Sequence, residues 1–177
     1  HSRALKGAGI EIAGIVSSTP EKSQQAASSL GINRAYRSVE ELLADSDVTV
    51  VHVLTPNESH AKYVSMALDA GKHVVCEKPL TVDAAEAIAL TKRVQELNLI
   101  GAIPFAYRFH AMTREARSKV LAGELGKLFS VRGQYLQDWL LNPEDTNWRV
   151  DASLGGPSRA FADLGIHLCD LVEFISG

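Results

Sequence analysis

The alternation of two kinds of segment is what most constrains this fold. The run VTVVHVLTP, Val48 to Pro56, is apolar on nearly every residue and rich in β-branched side chains, as in a strand covered on both faces. HVVCE, starting at His73, repeats the pattern, and IEIAGIVSS (Ile10–Ser18) and LIGAIPF (Leu99–Phe105) read as two further strands. Between them lie segments with helix punctuation. PEKSQQAASSLG carries Pro20 and Glu21 in its first turn and Gly31 at its end. SVEELLADS sets Ser38 three residues before Glu41, a capping box. ESHAKYVSMALDAGK spaces Ala61, Val64, Met66, Ala67 and Leu68 for a helix capped at Gly71, and TVDAAEAIALTKRVQELN predicts a long helix begun by Thr81 or Asp83. Strands alternating with helices through short turns predict a parallel sheet with helices on both faces.

Such sheets bind ligands outside the carboxyl ends of their strands. The segments placed there, SSTPEK, TPNESH, EKPL and PFAYRF, all carry polar or charged groups. After Arg108 the pattern changes. AMTREARSKVLAGELG reads as a helix ending at Gly123 or Gly126. KLFSVRGQYLQDW alternates Phe129, Val131, Gly133 and Tyr135 against polar residues, the period of a strand with one covered face in an antiparallel sheet. LLNPEDTNWRVDASLGGPS reads as loop, and RAFADLGIHLCDLVEFI as a helix with an apolar face. A boundary near Pro104 divides the chain into a parallel α/β unit, 1–104, and the start of a second unit with an antiparallel strand, 105–177.

Bulk properties exclude several classes of partner. A formal charge of -3 gives no reason to expect nucleic acid or an anionic membrane surface. No apolar run reaches the ~18 residues of a membrane span. Cys76 and Cys169 sit in apolar segments and suit a reducing cytoplasm better than a disulfide framework. HSRALKGAG reads as the back half of a helix, and the end stops just after another, so the expectation is a part of a longer chain. No G-x-G-x-x-G occurs, consistent with a pyrophosphate loop and first strand lying before His1.

The chemistry concentrates at two places. In HVVCEKPL a buried strand ends in an adjacent acid and base, Glu77 and Lys78, followed by Pro79. One reading is a solvated turn with an exposed lysine. The other is a lysine held near a reacting hydroxyl, with the fixed φ of proline positioning it. On the last helix Asp163 and His167 are four apart, one turn from each other, where a carboxylate orients an imidazole; a structural pair or a satisfied core histidine is the alternative. In TPNESH, hydroxyl, amide and helix N-terminal N–H groups suit phosphate or ribose, with helix capping by Asn57 or Ser59 as the simpler role. Ser17, Ser18 and Thr19 stand where a dinucleotide fold places an acid for the ribose 2′-hydroxyl. Hydroxyls there do not repel a 2′-phosphate, and Lys22 adds a charge, which tilts the cofactor toward NADP over NAD. A metal site from His73, Cys76, His167 and Cys169 is disfavoured, because these residues diverge on a strand and on a helix and lack zinc spacing.

In their order, TPNESH, GKHVVCEKPL, YRF, NWR and DLGIHLCDLVEFISG resemble the glucose–fructose oxidoreductase/inositol dehydrogenase (Gfo/Idh/MocA) family of NAD(P)-dependent sugar and polyol dehydrogenases, over nearly the whole chain. The resemblance implies a Rossmann-type domain, here without its first strand, and a second domain whose sheet builds dimers or tetramers. It implies Lys78 as the catalytic lysine, with Glu77 beside the nicotinamide ribose. It implies Asp163 holding substrate and His167, and His167 as general base or acid. Thr55, Pro56, Asn57 and His60 then line the adenosine and pyrophosphate groove, and Arg108, Trp148 and Arg149 reach the cofactor from the second domain. The implied partner is a small sugar or polyol. A non-catalytic NAD(P)-binding sensor of the same fold is the alternative, though it has no need of Lys78 and His167 together.

Overall fold

A computed structural model describes all 177 residues. The elements run α1 (Ser2–Gly7), α2 (Pro20–Leu30), α3 (Val39–Ala44), β1 (Val50–Val53), α4 (His60–Asp69), β2 (His73–Cys76), α5 (Ala84–Glu96), β3 (Gly101–Ala102), α6 (Ala111–Leu121), α7 (Ala152–Gly155) and α8 (Ile166–Ser176). The three strands form one sheet in the order β1-β2-β3. All pairs are parallel, with Val50 opposite His73 and Val53 opposite Cys76, then Val74 opposite Gly101. The fold is therefore the α/β architecture that the alternation predicts.

Beside the sheet, Val53, Val64, Ala67, Leu68, Val74, Cys76 and Leu90 form one buried cluster drawn from β1, α4, β2 and α5. These are the apolar positions of two strands and two amphipathic helices, which have no other way to leave water. A smaller cluster joins Tyr36, Leu42 and Val48. Tyr36 is fully buried, and its hydroxyl donates to Asp45 at 2.6 Å. A Cβ at Gly14 would stand 2.5 Å from the Tyr36 ring. Only glycine lets the first extended segment lie this close.

The helix starts follow their capping chemistry. Thr19 accepts from the Lys22 amide, Ser38 from Glu41 and Asp83 from Glu86. Glu41 closes its box one residue early, accepting from the Arg37 amide rather than that of Ser38. The expected cap at α4 is not made: neither Asn57 nor Ser59 caps it, and a 3-10 turn, Asn57–Ser59, leads into the helix instead.

Three expected strands differ. Ile10–Ser18 makes only a single parallel bridge, Ile15 to Ala35, closed by the Ile15 amide on the Arg34 carbonyl and the Tyr36 amide on the Ile15 carbonyl. The fourth run shortens to Gly101–Ala102 at the sheet edge. Residues 127–139 form no strand, since no second strand lies beside them to take their hydrogen bonds. Nor is the expected face covered: Phe129 is 88% and Val131 53% exposed, and only further along, where a Cβ at Gly133 would meet Leu168 of α8 at 2.9 Å, does the segment lie against the chain. The last helix is in two parts: a π turn, Phe161–Gly165, precedes α8.

Candidate active site

β2 delivers Glu77 and Lys78 to the carboxyl edge of the sheet, where the strand's hydrogen bonds end. Lys78 turns into a cleft of about 390 Å³ that Asp163 and His167 also line. Its ammonium donates to the Asp163 carbonyl at 2.8 Å, to the Asp163 carboxylate at 3.1 Å and to the Ala162 carbonyl at 3.3 Å. Both carbonyls belong to the π turn. A π turn widens the helix and is common at functional sites. Here it presents main-chain acceptors to the lysine, whose three N–H donors are all engaged. The solvated-turn reading of Lys78 is thus replaced by a half-buried ion pair.

Asp163 does not hold His167. Its Oδ1 atom instead takes Lys78 and, at 3.2 Å, the Nε of Arg149. The expected pair assumed a uniform α-helix, and the π turn alters the spacing between these positions. His167 is ringed edge-on by Phe105, Tyr107 and Tyr135, with Tyr107 at 4.8 Å. Its buried Nδ1 has no hydrogen-bond partner. Burial holds this imidazole below its ordinary value of 6.5; the Lys78 ammonium adds to the effect, and the Asp163, Asp170 and Glu77 carboxylates oppose it. A neutral ring is suited to accept a proton, and with Nδ1 buried only the other ring nitrogen is left for a ligand in the cleft.

The other expected site residues divide. Arg149 lines the cleft, its guanidinium stacked at 4.5 Å over Trp148 and 5.7 Å over Trp139. Trp148 supports Arg149 and is not part of the cleft wall. Arg108, expected to reach cofactor, is turned to α8, where it pairs with buried Asp170. His60, expected in a groove, is buried at 1% exposure, with its ring nitrogens 2.6 Å from the Pro79 carbonyl and 2.7 Å from that of Thr55. It ties the loop after β1 to the loop after β2. Asn57 is also buried, its amide donating to the Gly155 carbonyl. Thr55 accepts from Ser59, and Pro56 is exposed. The carboxylate of Glu77 contacts His1 and the Lys78 amide and does not line the cleft. Ser17 and Ser18 are exposed, the Ser17 amide donating to Ser23.

Sequence reasoning missed Tyr135, Gln137 and Trp139 as cleft residues. Their period of two was the available signal, since it puts all three on one face of an extended segment. No group of three or more His, Cys, Asp or Glu is placed to hold a metal ion, and no helix is long and apolar enough to cross a membrane.

A parallel sheet whose loops meet a lysine–carboxylate–imidazole cleft at its carboxyl edge has the architecture of a dinucleotide-binding domain. The chain belongs to the Gfo/Idh/MocA oxidoreductase family: residues 1–104 match "Oxidoreductase family, NAD-binding Rossmann fold" and 113–177 match "GFO/IDH/MocA C-terminal domain". It is 33% identical over 164 residues to levoglucosan dehydrogenase of Pseudarthrobacter phenanthrenivorans, covering 92% of this chain and 42% of that protein. A structure of levoglucosan dehydrogenase with NADH and levoglucosan aligns with a TM-score of 0.83 at 32% identity, over 92% of this chain and 44% of the other. Identity to D-xylose 1-dehydrogenase (NADP(+)) 2 of Haloferax volcanii is 36%, over 98% of this chain and 52% of that protein. An oxidoreductase domain protein from Kribbella flavida aligns with a TM-score of 0.94 at 35% identity, over all of this chain and 50% of that one. The chain spans about half the length of the curated relatives it matches.

Proposed function

We propose that the protein is an NAD(P)-dependent dehydrogenase that moves hydride between a sugar or polyol CH–OH group and nicotinamide. One observation carries this reading: Lys78 and His167, from separate units of the chain, line a single cleft at the sheet edge. A dinucleotide fits these residues in part. The carboxyl edge offers the exposed hydroxyls of Ser17 and Ser18 for the adenosine ribose and the cleft beside Lys78 for the nicotinamide. The G-x-G-x-x-G cradle is not in this sequence. Bound there, the cofactor supplies the two-electron chemistry.

The chain's own residues handle position and protons. Lys78 is steered into the cleft by Asp163 and Ala162; giving up its longest contact, 3.3 Å to the Ala162 carbonyl, turns one donor to the substrate oxygen, whose alkoxide character it stabilises. His167, held neutral by burial and lining the cleft, takes the hydroxyl proton on Nε2, the nitrogen that is not buried. Asp163 fixes the lysine in place, and Arg149 in turn holds the Asp163 carboxylate. The absence of an acid at Ser17–Ser18 favours NADP over NAD. Both cysteines are free thiols, as suits a reducing compartment. The relatives act on levoglucosan and D-xylose by name, which supports a sugar as the substrate class.

The test is nicotinamide absorbance over a panel of sugars and polyols, with NADP and NAD compared. Lys78→Ala should cost roughly 10²–10⁴-fold in kcat, the range of one acid–base or electrostatic group, while cofactor binding measured by fluorescence titration survives. Turnover of a confirmed substrate at the unaltered rate would remove Lys78 from the chemistry. Cofactor binding with no turnover on any substrate would instead favour the sensor.

A further inference from the structure

The segment after β1 contacts both parts of the site without lining the cleft. Asn57 is 8% exposed, and its Nδ2 donates to the Gly155 carbonyl at 3.0 Å. Gly155 lies against the backbone of Arg149: a Cβ there would stand 2.7 Å from the Arg149 carbonyl oxygen. Gly156 adopts φ +81°, and a Cβ there would stand 2.5 Å from Val82. The glycine pair is therefore wedged between the loop after β2 and the backbone of the cleft arginine. Side chains larger than hydrogen would push these surfaces apart. The wedge carries no charge and makes only this one side-chain hydrogen bond to the dinucleotide-binding unit, the bond from Asn57.

We infer that Asn57 is a positioning residue: it latches the Gly155–Gly156 turn onto the sheet edge and so sets Arg149 against Asp163, in register with Lys78. The physical basis is a continuous set of contacts. The amide of Asn57 holds Gly155, Gly155 abuts the Arg149 backbone, and the Arg149 Nε donates to the same carboxylate oxygen that takes Lys78. One donor of the amide is committed to a buried main-chain carbonyl, and Asn57 itself is buried, so this contact is with the fold and differs from a groove contact with phosphate or ribose. Removing the bond leaves the Gly155 carbonyl buried without a partner, which favours displacement of the turn. Small displacements of a positioned group are costly to rate.

The experiment uses the full-length protein, with Asn57→Ala and the isosteric Asn57→Asp, which keeps shape and loses the donor. The kinetic arm rests on the dehydrogenase reading. Either variant should lower kcat by about 5- to 20-fold, the effect of one lost buried hydrogen bond on a positioned group, with cofactor affinity changed less than about 3-fold. In an Arg149→Ala background the same change should alter kcat by less than about 2-fold, because a residue acting through Arg149 is then silent. A second arm needs no substrate. Arg149 lies over Trp139 and Trp148, so Asn57→Asp should shift tryptophan emission, and Arg149→Ala should abolish the shift. Unaltered emission in Asn57→Asp, a loss of cofactor affinity with kcat intact, or full additivity with Arg149→Ala each overturns the inference. So does failure of both Asn57 variants to fold, which would make the residue purely structural. If the unaltered protein oxidises no sugar, the dehydrogenase reading fails while the emission arm still decides the latch.

Discussion

Among single residues, His167 carries the clearest consequence. Its imidazole is depressed chiefly by burial, so the folded chain binds its proton only below 6.5, whereas the unfolded chain binds it near that value. Below pH 6.5 the unfolded state therefore holds more protons from this group. Its contribution to stability is complete above pH 6.5 and falls as pH drops from there toward the folded value. On the proposed chemistry the acid limb of kcat/KM must also lie below 6.5. His167→Asn should flatten that limb and lower kcat/KM by about 10²–10⁴-fold. An acid limb unchanged in this variant would assign the proton to another group. By contrast Cys76, buried and pushed up to about 12, plays no part in proton traffic.

Among elements, α5 shows how a helix start serves the site. It begins directly after the Lys78 loop, and Asp83 caps it by accepting from Glu86. Thr81 Oγ1 also accepts from the Asp83 amide, so the turn between Pro79 and α5 is held by side chains on both sides of Val82. Asp83→Ala should destabilise the chain by about 1 kcal/mol, read as a fall in denaturant midpoint without change in slope. An unaltered midpoint would mean that the cap at this helix is replaced by water. The π turn is the opposite case: its local departure from helix geometry is what lets Lys78 reach the Ala162 and Asp163 carbonyls.

Over the whole molecule, order is unevenly supported. β2 lies between two strands and under the main core, whereas the amides of residues 127–139 donate to no other group of the chain. Several of their side chains are exposed, Phe129 at 88% and Leu136 at 75%. Hydrogen exchange on this chain should find Val74 and Val75 among the last amides to exchange and 127–139 near the unprotected rate. Strong protection of 127–139 would require strand pairing that the structure does not contain. Exposed apolar groups of this extent also mark a surface suited to further contacts.

Local patterns decided much of this protein. The alternation of buried runs and capped helices dictated a parallel α/β sheet, and the abrupt Glu77–Lys78–Pro79 ending of a buried strand marked the edge where the cleft lies. Periodicity and capping act between residues a few positions apart, so they are written into short stretches of sequence. The partners of the polar groups were decided elsewhere. Asp163 took Lys78 and Arg149 in place of His167, Arg108 took Asp170, and Asn57 and His60 took main-chain carbonyls. A hydrogen-bond donor pairs with whatever acceptor the folded chain brings within about 3 Å. That proximity, between residues far apart along the chain, exists only once the tertiary structure has formed.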